Sequence, residues 1–195
     1  MTLVLIKYSA GNIQSVLNAL ERLGVQAEVT DDIEKIKSAD KVIFPGVGEA
    51  SSAMRSLQQN QLDKVIKDLK QPVLGICVGM QLMCAHSEEN DTECLNIVPV
   101  KVKKFSGHQL KVPQVGWNRL YDLKSNLFRN IENNSYIYNV HSYYAEDSEY
   151  TIAKCSYGID YAAAIKKDNF YGVQFHTEKS AETGDRIIQN FLKIG

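Results

Sequence analysis

The chain has 195 residues, with 22 Lys+Arg against 23 Asp+Glu, 44% hydrophobic and 23% charged. That supports one good core and excludes extended disorder. A formal net charge of -1 gives no electrostatic reason for nucleic acid or an anionic membrane surface to be the main partner.

A single domain over residues 1–195 is the expected organisation, because an α/β sheet covered on both faces needs about this much chain. The longest apolar runs, such as Leu3–Ile6 and Val73–Met80, fall far short of the roughly 20 residues that span a bilayer, so no membrane segment is expected. No basic segment leads into a long apolar run, and the cytoplasm is the default location. Cys77, Cys84, Cys94 and Cys155 contain no C-x-x-C pair and read as separate thiols in a reducing compartment.

In chain order, residues 2–8 form the first expected strand. After Gly11, Ile13, Val16, Leu17, Leu20 and Leu23 recur at helical spacing, and Gly24 closes that helix as a C-cap. Residues 25–29 and 41–44 read as further strands, the second interrupted by Pro45-Gly46-Val47-Gly48. A helix resumes from about Ala50, and Pro72 opens the run PVLGIC, whose unbroken apolar character suits a central strand. Ser87–Asn96 is the most loop-like segment, with carboxylates and amides gathered at Glu88–Asp91. Shorter β-rich pieces follow at 97–104, 117–121, 135–140, 150–157, 161–166 and 170–175, where antiparallel additions to the sheet are expected. Arg186, Ile187, Ile188, Phe191 and Leu192 mark a C-terminal helix packing back on the sheet. The fold class is α/β: a three-layer sandwich with a mixed, mostly parallel central sheet flanked by helices.

Gly75-Ile76-Cys77-Val78-Gly79 has the Gly-x-nucleophile-x-Gly layout where an apolar strand gives way to a helical pattern. A sharp turn there presents Cys77 above the sheet, at a helix N-terminus whose free N–H groups favour a thiolate. The Val78 N–H is then one natural half of an oxyanion hole. The plainer alternative makes Cys77 a small buried hydrophobe and the glycines aids to packing. Further along, Phe170–Phe175 is a strong strand pattern ending in His176-Thr177-Glu178. In extended backbone, residues two apart point the same way, so Glu178 is expected to orient the His176 imidazole towards an activated nucleophile. The P-C-x-x-C that would make this H-x-E a zinc motif is absent, and no metal is expected. A second oxyanion donor would come from the Pro45–Gly48 loop, at Val47 or Gly48, if strand ends bring it beside Cys77.

PGVG at 45–48, GICVGMQ at 75–81, HSY at 141–143 and FHTEKS at 175–180 together resemble the class I glutamine amidotransferases. With YSAGN at 8–12, VGWN at 115–118 and NFYGVQFH at 169–176, nearly the whole length is similar to the glutaminase subunits of imidazole glycerol phosphate synthases. The resemblance implies hydrolysis of L-glutamine to glutamate and ammonia by a Cys77–His176–Glu178 triad, without metal or organic cofactor. It further implies that Gln81, Glu89, His141, Ser142 and Tyr143 contact substrate. A separate (βα)8-barrel synthase subunit would receive the ammonia for histidine biosynthesis, docking on the side of Asn12, Pro113, Trp117, Tyr138 and Lys179. For Trp117, filling the core is an equal alternative.

Three positions depart from the family pattern. Ser9 replaces Gly in YGxGN, Gln114 replaces the His before Gly-Trp-Asn, and Thr177 replaces Pro in FHPE. Losing proline's fixed φ predicts a looser His–Glu orientation, and the changes near the docking face leave open a paralogous glutaminase serving a nucleotide-sugar amidating synthase. A cysteine peptidase and a binding module with relic triad residues are the alternatives from other classes.

Overall fold

A computed structural model describes residues 1–9, 12–107 and 110–195. Ala10 and Gly11 of the YSAGN motif lie outside the described residues. Chain order is β1 (Leu3–Ile6), α1 (Ile13–Arg22), β2 (Glu28–Thr30), α2 (Ile33–Ser38), β3 (Lys41–Phe44), α3 (Ala50–Gln59), α4 (Leu62–Asp68), β4 (Val73–Ile76) and α5 (Val78–Met83). There follow β5 (His86–Ser87), β6 (Thr92–Glu93), β7 (Lys101–Lys104), β8 (Gln114–Arg119), β9 (Tyr136–His141), β10 (Tyr143–Ala145), β11 (Thr151–Ser156), β12 (Asp160–Lys167), β13 (Phe170–Val173) and α6 (Ala181–Leu192).

Among the described residues, ten strands lie in the order β2-β1-β3-β4-β13-β12-β10-β7-β5-β6, and β11 completes the 11-stranded sheet by pairing with β12. From β2 to β13 every pairing is parallel. β1, β3, β4 and β13 are buried at every position, as their apolar runs require, with Lys41 at the start of β3 the one charged residue among them. Right-handed crossovers send α1 to one face and α2, α3 and α4 to the other. Consistent with this, Arg22 of α1 pairs with Asp185 of α6 at 3.1 Å, while α4 packs on α2 and α3. On α6, Ile187, Ile188 and Phe191 are fully buried, each contributing about 1.5–3 kcal/mol relative to exposure.

The first strand and the helices expected after Gly11 and from about Ala50 are present as β1, α1 and α3, and Gly24 has φ 69° just after the end of α1, as a C-cap glycine does; α2 has no counterpart in the sequence reading. Three expectations need correction. The piece at 170–175 joins the sheet by a parallel pairing with β4, besides its antiparallel pairing with β12. The pieces at 117–121 and 135–140 are no addition to the main sheet: β8 and β9 form a separate two-stranded ribbon. Ser87–Asn96 also contains the strand β6 and the end of β5, because His86 and Ser87 find both β7 and β6 as pairing partners. Ser142 is the corner at which the chain leaves the ribbon for β10, and its carbonyl accepts from the Phe105 N–H at 3.0 Å.

Candidate active site

Cys77 sits between β4 and α5 at φ 53° and ψ -111°, a region a residue with a Cβ rarely adopts. Its N–H donates to the Val173 carbonyl of β13 at 2.8 Å, and its carbonyl accepts from the Gln81 N–H at 3.1 Å. Gly79 permits the turn, since a Cβ there would collide with the Phe44 carbonyl at the end of β3. The strained turn expected from Gly-x-Cys-x-Gly is therefore present. The expected exposure is not: Cys77 is only 3% exposed. Its sulfur lies 4.0 Å from the Val140 carbonyl, beneath β9, and opens onto a cleft of about 320 Å³ instead of onto bulk solvent.

His176 lines the same cleft, and its Nδ1 lies 2.7 Å from Glu178 Oε1. Strand alternation is not what brings them together. β13 ends at Val173, and a 3-10 turn over Thr177–Lys179 folds residue 178 back to the ring. That turn is fastened at four points: His176 N–H to the Tyr138 carbonyl (2.9 Å), Lys179 N–H to the His176 carbonyl (3.0 Å), Ser180 N–H to the Thr177 carbonyl (3.1 Å) and Ser180 Oγ to the His176 carbonyl (2.6 Å). Thr177, standing where the family pattern has Pro, is fully buried within it. Burial disfavours the imidazolium, but the neighbouring Cys77 sulfur and the hydrogen-bonded Glu178 carboxylate outweigh it and push the His176 pKa up to about 10. At neutral pH the ring is therefore protonated and donates through Nδ1–H to Glu178.

Val47, Gly48, Val78, Gln81, Glu89, His141, Ser142 and Tyr143 line the cleft together with Cys77 and His176, so both expected donor loops and all five expected substrate contacts converge. His141 Nδ1 donates to the Tyr143 carbonyl at 2.7 Å, leaving Nε2 to face the Tyr161 hydroxyl at 3.4 Å. Burial pushes its pKa down to about 4, against the Tyr143 hydrogen bond and with help from His176, so His141 is neutral. Glu89 Oε2 accepts the Ala50 N–H at 2.7 Å and thereby caps α3 from the wall of the cleft. Burial raises its pKa, while the Ala50 N–H opposes the rise.

The oxyanion expectation needs the largest correction. The Val78 N–H is not free: it donates to the Gly46 carbonyl at 3.3 Å. The Gly46–Val47 peptide thus turns its oxygen, and not its N–H, towards the position where an oxyanion would form. The flanking chain is pinned on both sides. Upstream, the buried Tyr8 hydroxyl donates to the Pro45 carbonyl at 2.6 Å; downstream, Glu89 holds the Ala50 N–H.

The expected docking residues divide. Pro113 and Lys179 are exposed on the rim of the cleft. Trp117 is 54% exposed and meets Tyr138 edge-on at 5.6 Å, which removes the core alternative for Trp117. Asn12 lies behind the triad, with Nδ2 3.5 Å from Glu178 Oε1. Sequence reasoning missed Val115, Tyr136 and Val140, exposed on the same ribbon, although alternation along β8 and β9 would have shown them. It also missed Tyr8 and Gln174, which carry no signal outside their motifs.

The family model for class-I glutamine amidotransferases matches residues 4–194. The chain belongs to that family. It is 54% identical to the imidazole glycerol phosphate synthase subunit HisH of Bacteroides fragilis (strain YCH46), with all of both chains covered. It is 45% identical to the protein of the same name from Idiomarina loihiensis, over all of this chain and 98% of that one. Among solved structures, a glutamine amidotransferase superimposes with TM-score 0.76 at 14% identity, over 99% of this chain and 98% of that one. The PurLQS structure from Thermotoga maritima gives 0.73 at 17%, over 98% and 97%. These two likenesses speak for the amidotransferase fold.

Within this amidotransferase, the departures from the family pattern are absorbed locally. Gln114 is buried and accepts from the Tyr161 hydroxyl at 3.2 Å, which places it under the ribbon and off the docking face. Ser9 is exposed and donates its N–H to Ser56 Oγ at 3.2 Å. Cys84, Cys94 and Cys155 are, like Cys77, free and buried. Among the described residues no helix is long and apolar enough to cross a membrane.

Proposed function

We propose that the chain is the glutaminase subunit of an imidazole glycerol phosphate synthase, acting as one domain in the cytoplasm. It hydrolyses L-glutamine to glutamate and ammonia, and passes the ammonia to a (βα)8-barrel subunit for imidazole ring formation in histidine biosynthesis. The observation that carries the chemistry is the His176 ring, paired through Nδ1 with Glu178 at 2.7 Å and lining the same cleft as Cys77. Full-length identity of 54% to a protein named as that subunit favours this acceptor over a sugar-modifying one.

Cys77 attacks the carboxamide carbon of glutamine as a thiolate. Glu89, the carboxylate in the cleft wall, suits the substrate's α-ammonium, and the corner at His141–Tyr143 takes the α-carboxylate side through its backbone. His176, protonated at neutral pH, delivers its proton to the departing nitrogen as the tetrahedral adduct collapses; ammonia leaves and a γ-glutamyl thioester remains. His176 then takes a proton from water, which cleaves the thioester and frees glutamate. Both tetrahedral adducts carry an oxyanion. Rotation of the Gly46–Val47 peptide would release the Val78 N–H and turn the Val47 N–H inward, completing a two-donor hole. Each such donor is worth on the order of 100- to 1000-fold in rate.

The docking surface supports a barrel partner. Outward-facing pairs Val115–Val140, Trp117–Tyr138 and Arg119–Tyr136 run along the ribbon in register. Arg119 stacks 5.1 Å from the Tyr136 ring, stiffening the end of that row. The ribbon stands beside the rim of the cleft, so a partner seated there covers the exit for ammonia. Neutral ammonia keeps the lone pair that attacks an electrophile, whereas escape to water converts most of it to ammonium.

The deciding assay is ammonia release from glutamine by the chain alone and with a cognate barrel subunit carrying its nucleotide ligand. Strong stimulation by that barrel is expected. Equal activity without it, or stimulation only by a sugar-modifying synthase, would overturn the reading.

A further inference from the structure

Gln174 is fully buried between β13 and the triad turn, and no role follows for it from the triad itself. Its Nε2 lies 3.8 Å from Cys77 Sγ, and its Oε1 accepts from Gln81 Nε2 at 3.0 Å. Gln81 Nε2 also donates to the Tyr143 carbonyl at 3.1 Å. A backbone carbonyl can only accept, so it fixes which end of the Gln81 amide faces it. The remaining Gln81 N–H then requires an acceptor, which fixes Gln174 with its oxygen towards Gln81 and its NH2 towards the sulfur. The same Tyr143 carbonyl takes the Nδ1–H of His141 at 2.7 Å. One carbonyl at the corner between the two sheets thus sets the direction of the whole relay.

Resting on the glutaminase reading, we propose that Gln174 is a second catalytic hydrogen-bond donor to the Cys77 thiolate, held in its orientation by Gln81. His176 surrenders its proton to the leaving nitrogen during turnover and cannot stabilise sulfur throughout the cycle. An amide N–H has no proton to lose at neutral pH. It favours the anionic sulfur before attack and again when thioester cleavage expels it. Gln81 therefore serves both sides of the reaction. Its two N–H groups are committed within the protein, and its Oε1 is the atom it can offer to substrate.

The test is the pH dependence of Cys77 alkylation by iodoacetamide in the full chain, followed by mass spectrometry of the peptide containing Cys77. Gln174→Leu is expected to displace the alkylation profile to higher pH, with the rate on its acid limb lowered roughly tenfold and the alkaline plateau near wild type, as for loss of one charge-assisted donor. Gln174→Glu, matched in shape but placing an acceptor beside sulfur, should fall further than Gln174→Leu. Gln81→Met, which frees the Gln174 amide to rotate, should fall less. With the barrel present, Gln174→Leu should lower kcat and leave KM within about threefold, as for a group that acts on the thiolate and does not hold glutamine. Unchanged alkylation profiles in the Leu and Glu variants, with native circular dichroism and barrel binding, would overturn the proposal. Because alkylation needs no glutamine turnover, that failure is distinct from failure of the glutaminase reading, which absence of ammonia release in the wild-type complex would report.

Discussion

Val78 donates its backbone N–H to the Gly46 carbonyl at 3.3 Å, so the loop that should help hold an oxyanion instead occupies one of its donors. On the proposed function, activation would amount to breaking that hydrogen bond and rotating one peptide between two pinned points, Pro45 and Ala50. Oxyanion stabilisation acts on the transition state and not on bound glutamine. The barrel subunit should therefore raise kcat by at least about 100-fold while KM changes by only a few-fold. Steady-state kinetics of ammonia release with and without the barrel check this. Stimulation confined to KM would mean that docking builds the glutamine site instead.

The upstream pin has its own signature. Tyr8 is buried against Phe44, and a Cβ on Gly46 would stand 2.7 Å from the Tyr8 hydroxyl and 2.5 Å from the Gly79 N. Tyr8→Phe removes one hydrogen bond, worth about 1 kcal/mol, and leaves the packing in place. Gly46→Ala is expected to be worse, by about 1–3 kcal/mol of overpacking. Urea denaturation of both variants should rank them in that order, and an equally stable Gly46→Ala would show that the loop is not packed as tightly as described.

Much of this site was legible in the residues. Gly-x-Cys-x-Gly after an unbroken apolar strand located the strained turn, and the substrate set fell onto one cleft as the motifs implied. What was not legible depends on geometry that residue identity does not encode. Alternation predicted the His176–Glu178 contact for the wrong reason, because the chain leaves β-structure at Val173 and a 3-10 turn makes the contact. The direction of the Gly46–Val47 peptide is a backbone rotation, equally compatible with the same four residues. Gln174 becomes visible only when β4 and β13 are paired in register and Gln81 is carried beneath it by α5.

The two cleft histidines predict opposite pH responses. His176 is raised to about 10 from 6.5, so its stabilising contribution is complete below about pH 6.5 and is lost as pH rises towards about 10. His141 is lowered to about 4, so its contribution is present above about pH 6.5 and is lost as pH falls towards about 4, where the unfolded chain binds the extra proton. Thermal unfolding from pH 4 to pH 10 should show both limbs. His141→Gln should flatten the acid limb relative to wild type, and an unchanged acid limb would remove His141 as its source.

On the ribbon, Trp117→Ala or Tyr138→Ala should weaken barrel binding by about 30-fold or more, as for buried aromatic anchors. The melting temperature of the isolated chain should change little for Trp117→Ala, since that side chain is 54% exposed. Calorimetric titration of the barrel subunit checks both, and undiminished affinity would move the interface off this face.

The central claim is covalent chemistry at one sulfur. Acid quenching of the active complex during turnover of isotopically labelled glutamine, followed by peptide mass spectrometry, should find a γ-glutamyl thioester on the peptide containing Cys77 and none on those containing Cys84, Cys94 or Cys155. Cys77→Ala should show neither adduct nor ammonia while still binding the barrel. Ammonia release that persists in Cys77→Ala, or an adduct on another cysteine, would contradict the account.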